Sequence, residues 1–257
     1  MTRLLARTAT YAALPLAVLA AWWYLTRGGE SLYFPPPGQV FTRFRENWLF
    51  ALVPEHVMPS LVRMFSGLLL SVVVGVALGV ALGMSDLAHR ATKPWLTLLR
   101  STPGPVVVVT FLVLFGTGSV GKVLMIAFVS VFPVLLNTVD GVRAAEPVLL
   151  DVAASYRLSR RERVTRIVLP GALPQISVGV RTSVALAFIV MIVSEYFGGS
   201  DGVGYFTRDS ASGFAIPDMW SGMLLLGLLG IAVNVLVAVA QRRALRWYAG
   251  ARAAAKS

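Results

Sequence analysis

The sequence predicts an all-α membrane protein that forms a single transmembrane domain over residues 1–257. Of its 257 residues, 56% are hydrophobic and only 14% are charged, and few soluble domains are this apolar. Several apolar runs reach the length of about 20 residues that a helix needs to cross a bilayer. The chain has no cysteine, which excludes disulfides, thiolate metal sites and cysteine nucleophiles.

Six apolar runs are predicted to span the membrane. They lie at about residues 10–26, 59–84, 95–115, 120–139, 172–197 and 219–241. The first run ends in Trp22-Trp23-Tyr24, which is typical of an aromatic anchor at the membrane interface. It lacks an obvious small-residue cleavage site, so a span is favoured over a signal peptide. Residues 35–38 (PPPG) forbid a helix, and we expect an external loop there, followed by a short amphipathic segment.

The second span carries small residues on one helical face. They recur at strict four-residue intervals and are Gly67, Ser71, Gly75, Gly79 and Gly83. Small side chains allow another helix to approach closely inside a membrane. Plain helix packing is the favoured interpretation, and a moving or dimerising face is the alternative.

Prolines interrupt the next two spans. Pro103 and Pro105, near the start of the third span, predict irregular backbone, which a membrane tolerates where protein or a water-filled cavity covers it. Pro133 predicts a kink in the fourth span.

The turn between these two spans, residues 116–123 (GTGSVGKV), nearly matches a nucleotide-binding phosphate loop. Val123 stands where that motif needs a hydroxyl group to hold magnesium, and no strand of a soluble α/β domain precedes the turn. We therefore interpret it as a glycine-rich turn. His56 and His89 each lack a partner at metal-ligand or catalytic spacing, so the sequence predicts no metal site and no catalytic residue.

A polar, basic segment at residues 143–170 separates the fourth and fifth spans. Its pattern predicts a helix, a break and a second helix. Ser159 and Glu162 form an S-x-x-E capping box, which predicts the start of the second helix, and Pro170 is expected to end it. Five arginines make the segment a candidate docking surface; they are Arg157, Arg160, Arg161, Arg163 and Arg166.

The net charge of +11 invites a nucleic-acid interpretation, but the location of the charge argues against it. Most basic residues lie in the 143–170 segment, in the loop before the third span or near the termini. Such a concentration on one side is the pattern of cytoplasmic loops. The sequence therefore predicts cytoplasmic N and C termini, a cytoplasmic 143–170 segment and no nucleic-acid partner.

The 143–170 segment also resembles the cytoplasmic coupling loop of ABC-importer permeases. That loop runs Glu-Ala-Ala, then Gly, then a hydrophobic-x-Leu-Pro ending. Asp151 stands at the acidic position, Ala153 at the last alanine, and residues 167–170 (IVLP) at the ending. Val152 replaces the first alanine and Arg157 the glycine. The second departure puts the tight turn of the loop in question, because arginine adopts left-handed backbone angles less readily than glycine.

The resemblance extends beyond the loop, over roughly residues 35–247. Thr102-Pro103, Ser194-Glu195 and residues 169–174 (LPGALP) resemble permeases for sulfonate, taurine, nitrate and related small anions or pyrimidine precursors. The resemblance implies the type I ABC importer permease fold in a bacterial cytoplasmic (inner) membrane. It also implies a second permease copy as a homodimer partner, two ATPase subunits, and an extracytoplasmic binding protein that delivers the solute. This chain would bind no cofactor, because ATP and magnesium would bind the ATPase.

The resemblance assigns the coupling function to the loop. We expect Val152, Ala153, Tyr156 and Leu158 to make the apolar contact with the ATPase, with Arg157 and Arg160 as polar partners. The whole candidate coupling set is Asp151, Val152, Ala153, Tyr156, Arg157, Leu158, Arg160, Ile167, Leu169 and Pro170.

Polar residues of the spans are candidates for a solute pathway. Glu195 and Arg63 lie near the outer ends of the fifth and second spans, and could pair either as an external gate or as a structural salt bridge. Further pathway candidates are Thr110, Asn137 and Ser194. Because no arginine or lysine is predicted at mid-span, the permease is expected to contribute little to solute selection.

A secondary transporter with a cytoplasmic regulatory loop is the main alternative. Such a transporter usually carries ionisable residues near the bilayer midplane, which this chain lacks, and it does not need a two-helix cytoplasmic loop.

Overall fold

The fold is described from a computed structural model, which covers residues 2–28, 32–145, 147–246 and 248. The described residues form helices joined by turns, and none of them lies in a strand. The helices are α1 (Thr2–Leu25), α2 (Pro37–Glu46), α3 (Met58–Gly83), α4 (Asp86–Arg100), α5 (Gly104–Phe115), α6 (Ser119–Arg143), α7 (Pro147–Ser155), α8 (Arg160–Arg163), α9 (Leu169–Gly198), α10 (Val203–Ser212) and α11 (Ile216–Ala244). Residue 1 and the residues after 248, which include the predicted cytoplasmic C terminus, lie outside the described part.

Three helices, α3, α6 and α9, form the centre of the bundle. Their facing side chains form most of the largest apolar core, to which α5 and α11 also contribute. Its most deeply buried members include Met64, Met125, Ile126, Ala187 and Met191. α3 and α6 run parallel to each other, and α9 runs antiparallel to both. One end of the bundle contains Glu195 and is called the Glu195 end; the opposite end contains residues 143–170 and is called the loop end.

The small-residue face of α3 packs directly on α6, which confirms the packing interpretation. A β-carbon on Gly67 would lie 2.6 Å from Ile126 Cγ2, and one on Gly79 would lie 2.5 Å from Thr138 Cβ. These distances are too short for any side chain on α3, so side chains of α6 pack directly against the α3 backbone. Such close approach maximises the van der Waals contact that associates helices in lipid.

Within the described part of the chain, four helical stretches are long and apolar enough to cross a membrane. They are Val53–Gly83, Ser119–Arg143, Arg160–Gly198 and Ile216–Ala244. They correspond to the second, fourth, fifth and sixth predicted spans. The first predicted span falls on α1, which includes the apolar stretch Ala13–Leu25.

The third predicted span, residues 95–115, is not one continuous helix. It divides into the end of α4 and α5, with a break at residues 101–103. The prolines there predicted irregular backbone, and Pro103 is the residue immediately before α5. With 12 residues, α5 rises about 18 Å, which is less than the hydrocarbon thickness of about 30 Å. No residue of α4 is buried.

Two further details differ from the sequence-based predictions. Helix α2 begins at Pro37, inside the proline run that was expected to forbid a helix, because proline fits the first position of a helix, where the N–H has no partner. The expected polar loop after the fifth span contains a ten-residue helix, α10.

The expectation that Pro170 ends a helix is wrong. The helix that starts at Arg160 continues to Gly198, with a π-helical turn at Val164–Val168. Pro170 lies in the first turn of α9, directly after that π turn. The wider turn rearranges the backbone hydrogen bonds at the point where proline cannot donate one.

Candidate functional site

A cluster of buried charged side chains lies at the Glu195 end. We call it the Glu195 cluster, and it comprises His56, Ser60, Arg63, Lys122, Glu195 and Asp201. Arg63 Nη1 lies 3.2 Å from Glu195 Oε1, and Arg63 Nη2 lies 2.6 Å from Asp201 Oδ2. The predicted pairing of Arg63 with Glu195 is therefore observed, and Asp201 is an additional partner.

Four elements bring these side chains together. Ser60 and Arg63 lie on the same face of α3, one turn apart. Lys122 is in the first turn of α6, Glu195 is in the last turn of α9, and Asp201 is in the short connection to α10. The Lys122 ammonium group lies 3.8 Å from Asp201 Oδ1, although this lysine side chain is only 1% exposed.

The carboxylate of Glu195 is held by hydrogen bonds as well as by charge. It accepts hydrogen bonds from Ser60 Oγ at 2.8 Å and from the backbone N–H of Gly204 at 3.1 Å. Ser60 Oγ in turn accepts from the backbone N–H of Val203 at 3.0 Å. The cluster therefore satisfies two N–H groups in the first turn of α10, where a negative charge also interacts favourably with the helix dipole.

Gly202 makes this close contact possible. Its φ angle is +101°, and a β-carbon there would lie 2.5 Å from both carboxylate oxygens of Glu195. A side chain at this position would be strained and would collide with the carboxylate.

The cluster has two positive and two negative groups, so its formal charge is zero when all four are ionised. Glu195 is fully buried and the Arg63 side chain is 7% exposed. Buried charges are tolerated when their partners and hydrogen bonds are complete, as they are for Glu195. The arrangement shows that the pair is formed and buried, as either of the two alternatives, a structural salt bridge or an external gate, requires.

Sequence reasoning missed four members of the cluster. The sequence analysis assigned Ser60, Lys122 and Asp201 to no site, and it treated His56 as isolated. His56 is instead buried beside Trp48 and Phe206, and its Nδ1 accepts a hydrogen bond from Gly202 N–H at 3.3 Å. The one available signal for this cluster was Lys122, a charged residue at the third position of the predicted apolar span 120–139.

A cavity of about 570 Å³ lies nearer the loop end, between the α4–α5 break and α6. Its polar lining includes Arg100, Thr102, Asn137 and Asp140. The apolar lining includes the aromatic side chains of Phe128 and Phe132. Of the predicted pathway residues, Asn137 lines this cavity, and its side chain also contacts Gln175 and the Pro133 carbonyl.

The hydroxyl groups of the other two predicted pathway residues form hydrogen bonds within their own helices. Thr110 Oγ1 donates to the Val106 carbonyl at 2.8 Å, and Ser194 Oγ donates to the Met191 carbonyl at 2.8 Å. Hydroxyl groups in membrane helices often bond in this way. Neither residue lines the cavity that contains Asn137.

The loop end carries the predicted helix–break–helix segment. α7 ends at Ser155, and the capping box of α8 is present, with Ser159 N–H donating to Glu162 Oε2 and Glu162 N–H donating to Ser159 Oγ. Between them, Arg157 adopts a φ angle of +53°, in the left-handed region. The N–H of Leu158 donates to the carbonyl of Ala153, five residues earlier, which is the bond of a Schellman helix end.

The tight turn is therefore present even though arginine occupies the glycine position. A left-handed conformation costs a non-glycine residue about 1–2 kcal/mol. The arginine side chain itself is exposed.

The side chains of the loop divide into exposed and buried groups. Tyr156 is 78% exposed and Val152 is 47% exposed, so both are available to a partner. Ala153 is 1% exposed and packs within its own chain, which corrects its assignment to the apolar contact. Leu158 is half-buried. The other candidates are either exposed (Asp151, Arg160) or half-buried (Ile167, Leu169, Pro170).

An ion pair at the same end joins the α3–α4 turn to the end of α6. Arg143 Nη2 lies 2.7 Å from Asp86 Oδ1. The hydrogen bond from Arg143, followed by its positive charge, holds the pKa of the Asp86 carboxyl below its usual range.

Comparisons with known proteins agree with these features. Residues 71–248 match the model of the family described as binding-protein-dependent transport system inner membrane component. The chain is 29% identical over 236 residues to the putative aliphatic sulfonates transport permease protein SsuC of Bacillus subtilis (strain 168), covering 91% of this chain and 86% of the relative. It is 25% identical over 252 residues to the taurine transport system permease protein TauC of Escherichia coli (strain K12), covering 95% and 92%.

A solved structure shares the fold. A chain of the MetNI methionine ABC transporter in an inward-facing conformation matches with a TM-score of 0.62 and 16% sequence identity. The match covers 77% of this chain and 98% of the other chain.

Proposed function

The chain belongs to the family of binding-protein-dependent transport system inner membrane components, and from this premise we propose that it is the permease subunit of an ATP-driven importer for a small sulfonate- or taurine-type solute. The observation that carries this proposal is the family match over residues 71–248. Relatives named as sulfonate and taurine permeases support the solute class. The chain itself is a non-catalytic subunit, and ATP with magnesium binds the partner ATPase.

The proposed topology has six spans and places both termini and the loop end in the cytoplasm of a bacterial cell. α1 supplies the first span, and the α4–α5 pair supplies the third. A broken helix is compatible with a membrane where other helices or a water-filled cavity cover the break. The cavity beside residues 101–103 fits this requirement.

Coupling to the ATPase takes place at the turn between α7 and α8. Tyr156 and Val152 provide exposed apolar surface there, and Arg157 and Arg160 provide exposed positive charge. Exposed aromatic residues beside arginine are the groups most often found at the energetic centre of protein interfaces. We propose that these four residues contact a groove on one ATPase subunit, and that the same residues of the second permease copy contact the other.

The cavity that contains Asn137 is the proposed part of the solute pathway in this chain. Arg100 offers a cation to an anionic group, and the second N–H of the Asn137 amide offers a hydrogen-bond donor. Asp140 lines the same cavity, and its carboxylate would favour a solute that also carries an ammonium group. A second copy of the permease would complete the pathway.

Co-purification tests the proposal directly. The chain is expressed with its candidate ATPase and reconstituted in nanodiscs, and ATP hydrolysis is measured with the binding protein loaded with taurine, with an alkanesulfonate, or with nothing. We expect a stable complex whose hydrolysis rises with one loaded solute. A folded permease that forms no complex with any candidate ATPase would contradict the proposal and favour a secondary transporter.

A further inference from the structure

A groove runs between α9 and α11 on the outside of the bundle. It consists of two adjoining cavities that share Arg181 as a common wall. The first has a volume of about 320 Å³ and is mainly apolar, with Val184, Phe188 and Val233 among its lining residues. The second has a volume of about 440 Å³ and lies towards the loop end; its lining residues are Arg181, Ala238, Gln241, Arg242, Leu245 and Arg246.

The two helices that form the groove are fixed to each other at the basic end. Gln241 Nε2 donates a hydrogen bond to the Ser177 carbonyl at 2.6 Å. Beyond this contact, towards the Glu195 end, the apolar cavity separates the two helices. The groove is therefore a built feature of the bundle, with one end held by a side-chain bond.

The apolar cavity extends along α9 from Arg181 to Ile189, about 12 Å, which is close to half of a hydrocarbon core of about 30 Å and so to one leaflet. At a rise of 1.5 Å per residue, Arg181 lies about 25 Å from Gly198, at the opposite end of the hydrocarbon core from the Glu195 cluster. Arg242 and Arg246 follow the apolar run of α11 and line the same cavity as Arg181, at the loop end of the hydrocarbon core. Of the four long apolar stretches, Ile216–Ala244 is the least buried within the chain, so α11 is the one most available to lipid.

The charge in the groove has no partner within the described part of the chain. Arg181, Arg242 and Arg246 make no ion pair with a described residue, and no aspartate or glutamate lines either cavity. Guanidinium groups bind phosphate oxygens in a bidentate manner. Three of them at the end of an apolar groove are complementary to a molecule with an anionic phosphate attached to a long hydrocarbon chain.

We propose that this groove binds an anionic phospholipid of the leaflet at the loop end. The phosphate group contacts Arg181, Arg242 and Arg246, and one acyl chain lies along the apolar cavity between α9 and α11. Basic pockets between membrane helices at the headgroup level are a recurrent form of lipid site. A free phosphate ion would use the arginines but would leave the apolar cavity unfilled. This site is independent of the proposed transport function.

The first experiment measures lipid retention. The full chain is purified in detergent and exchanged into micelles doped with phosphatidylglycerol or with phosphatidylcholine of the same acyl chains, and bound lipid is counted by native mass spectrometry. The test variant carries Arg181→Gln and Arg246→Gln. The matched control carries Arg243→Gln and Arg90→Gln, two exposed arginines that line neither cavity and lie at the same end.

The expected result is a selective loss of the anionic lipid. Each arginine beside an anionic headgroup contributes about fivefold in affinity, so the test variant should retain phosphatidylglycerol about 25-fold more weakly than the unmodified chain. The control variant should retain it within about twofold. Phosphatidylcholine should bind weakly to all three. Equal retention of phosphatidylglycerol by the test and control variants would overturn the proposal.

A second pair of variants tests the apolar part. Ala185→Phe places a large side chain in the apolar cavity, whereas Ala232→Phe places it on α11 outside that cavity. Only the first should displace phosphatidylglycerol. Displacement of the lipid by millimolar inorganic phosphate would instead identify a free-anion site. A change in the dimer fraction on Ala185→Phe without loss of bound lipid would identify the groove as a contact with a second copy. Either result would refute the lipid assignment.

Discussion

Replacing Glu195 by glutamine is expected to loosen the Glu195 end of the bundle. The substitution keeps the shape of the side chain and one acceptor oxygen, but it removes the negative charge 3.2 Å from Arg63. Removing one partner of a buried ion pair costs about 3–5 kcal/mol, because the other charge remains buried without full compensation. Arg63 retains its contact with Asp201 at 2.6 Å, so we expect the lower value, about 3 kcal/mol.

The assay is thermal unfolding in a fixed detergent, followed by intrinsic fluorescence. A loss of about 3 kcal/mol corresponds to a decrease in Tm of about 6–12 °C for a chain of this size. Hydrogen exchange gives the local measurement: backbone N–H groups of Val203 and Gly204 should exchange faster, because the cluster accepts both. Glu55→Gln is the matched control, since Glu55 is exposed and on the same end of α3.

These measurements distinguish the two possible roles of the Arg63–Glu195 pair, a structural salt bridge and an external gate. A structural role predicts the lower Tm and the faster exchange. A gate predicts an almost unchanged Tm and an altered transport rate. A decrease in Tm below about 2 °C, or one matched by Glu55→Gln, would refute the estimate of about 3 kcal/mol and with it the structural role.

Three further predictions follow from single positions. Arg157→Gly should raise Tm by about 2–4 °C, because the left-handed turn costs arginine about 1 kcal/mol, whereas Arg157→Ala should bring no such gain; equal effects would contradict this. Tyr156→Ala should abolish solute-stimulated ATP hydrolysis while the protein still inserts, and the equally exposed Tyr24→Ala should not; unchanged stimulation would count against the docking assignment. Gly79→Ala should cost about 1–3 kcal/mol in thermal unfolding, because its β-carbon would lie 2.5 Å from a side-chain carbon of α6, while Gly227→Ala, with open space around it, should cost nothing.

The features that the sequence predicted well have local signals. The capping box at Ser159 depends on two side chains three residues apart, and the structure contains both of its hydrogen bonds. The small-residue face of α3 follows from the helical repeat alone. Pairing of Arg63 with Glu195 was foreseeable because ionisable residues in apolar runs are costly and need a partner.

The features that the sequence did not predict depend on the arrangement of distant segments. Asp201 reaches Arg63 only because α10 folds back onto the ends of α3 and α9, and no local pattern specifies that position. Pro170 was misjudged because the usual effect of proline assumes a regular α-helix, whereas the preceding π turn changes the hydrogen-bond register. Exposure of individual loop residues, such as buried Ala153 next to exposed Val152, likewise requires the folded chain.

The structure also indicates which parts of the chain can move relative to each other. Side chains of α6 pack directly on the backbone of α3, and α9 is joined to α3 by the buried bonds of Glu195, so these three helices form one rigid unit. α4 has no buried residue, and it is separated from α5 by the break at residues 101–103. The cavity containing Asn137 lies between the α4–α5 pair and the rigid unit. α5 itself packs on that unit through the buried Val107 and Val108. A change in the size of that cavity by movement of α4 therefore disturbs no buried side chain of that helix, whereas movement of α5 or within the rigid unit would require the breaking of buried apolar and ionic contacts. An importer that opens its pathway at the loop end should consequently show its largest distance changes between α4 and α6, with the distance between α3 and α6 constant.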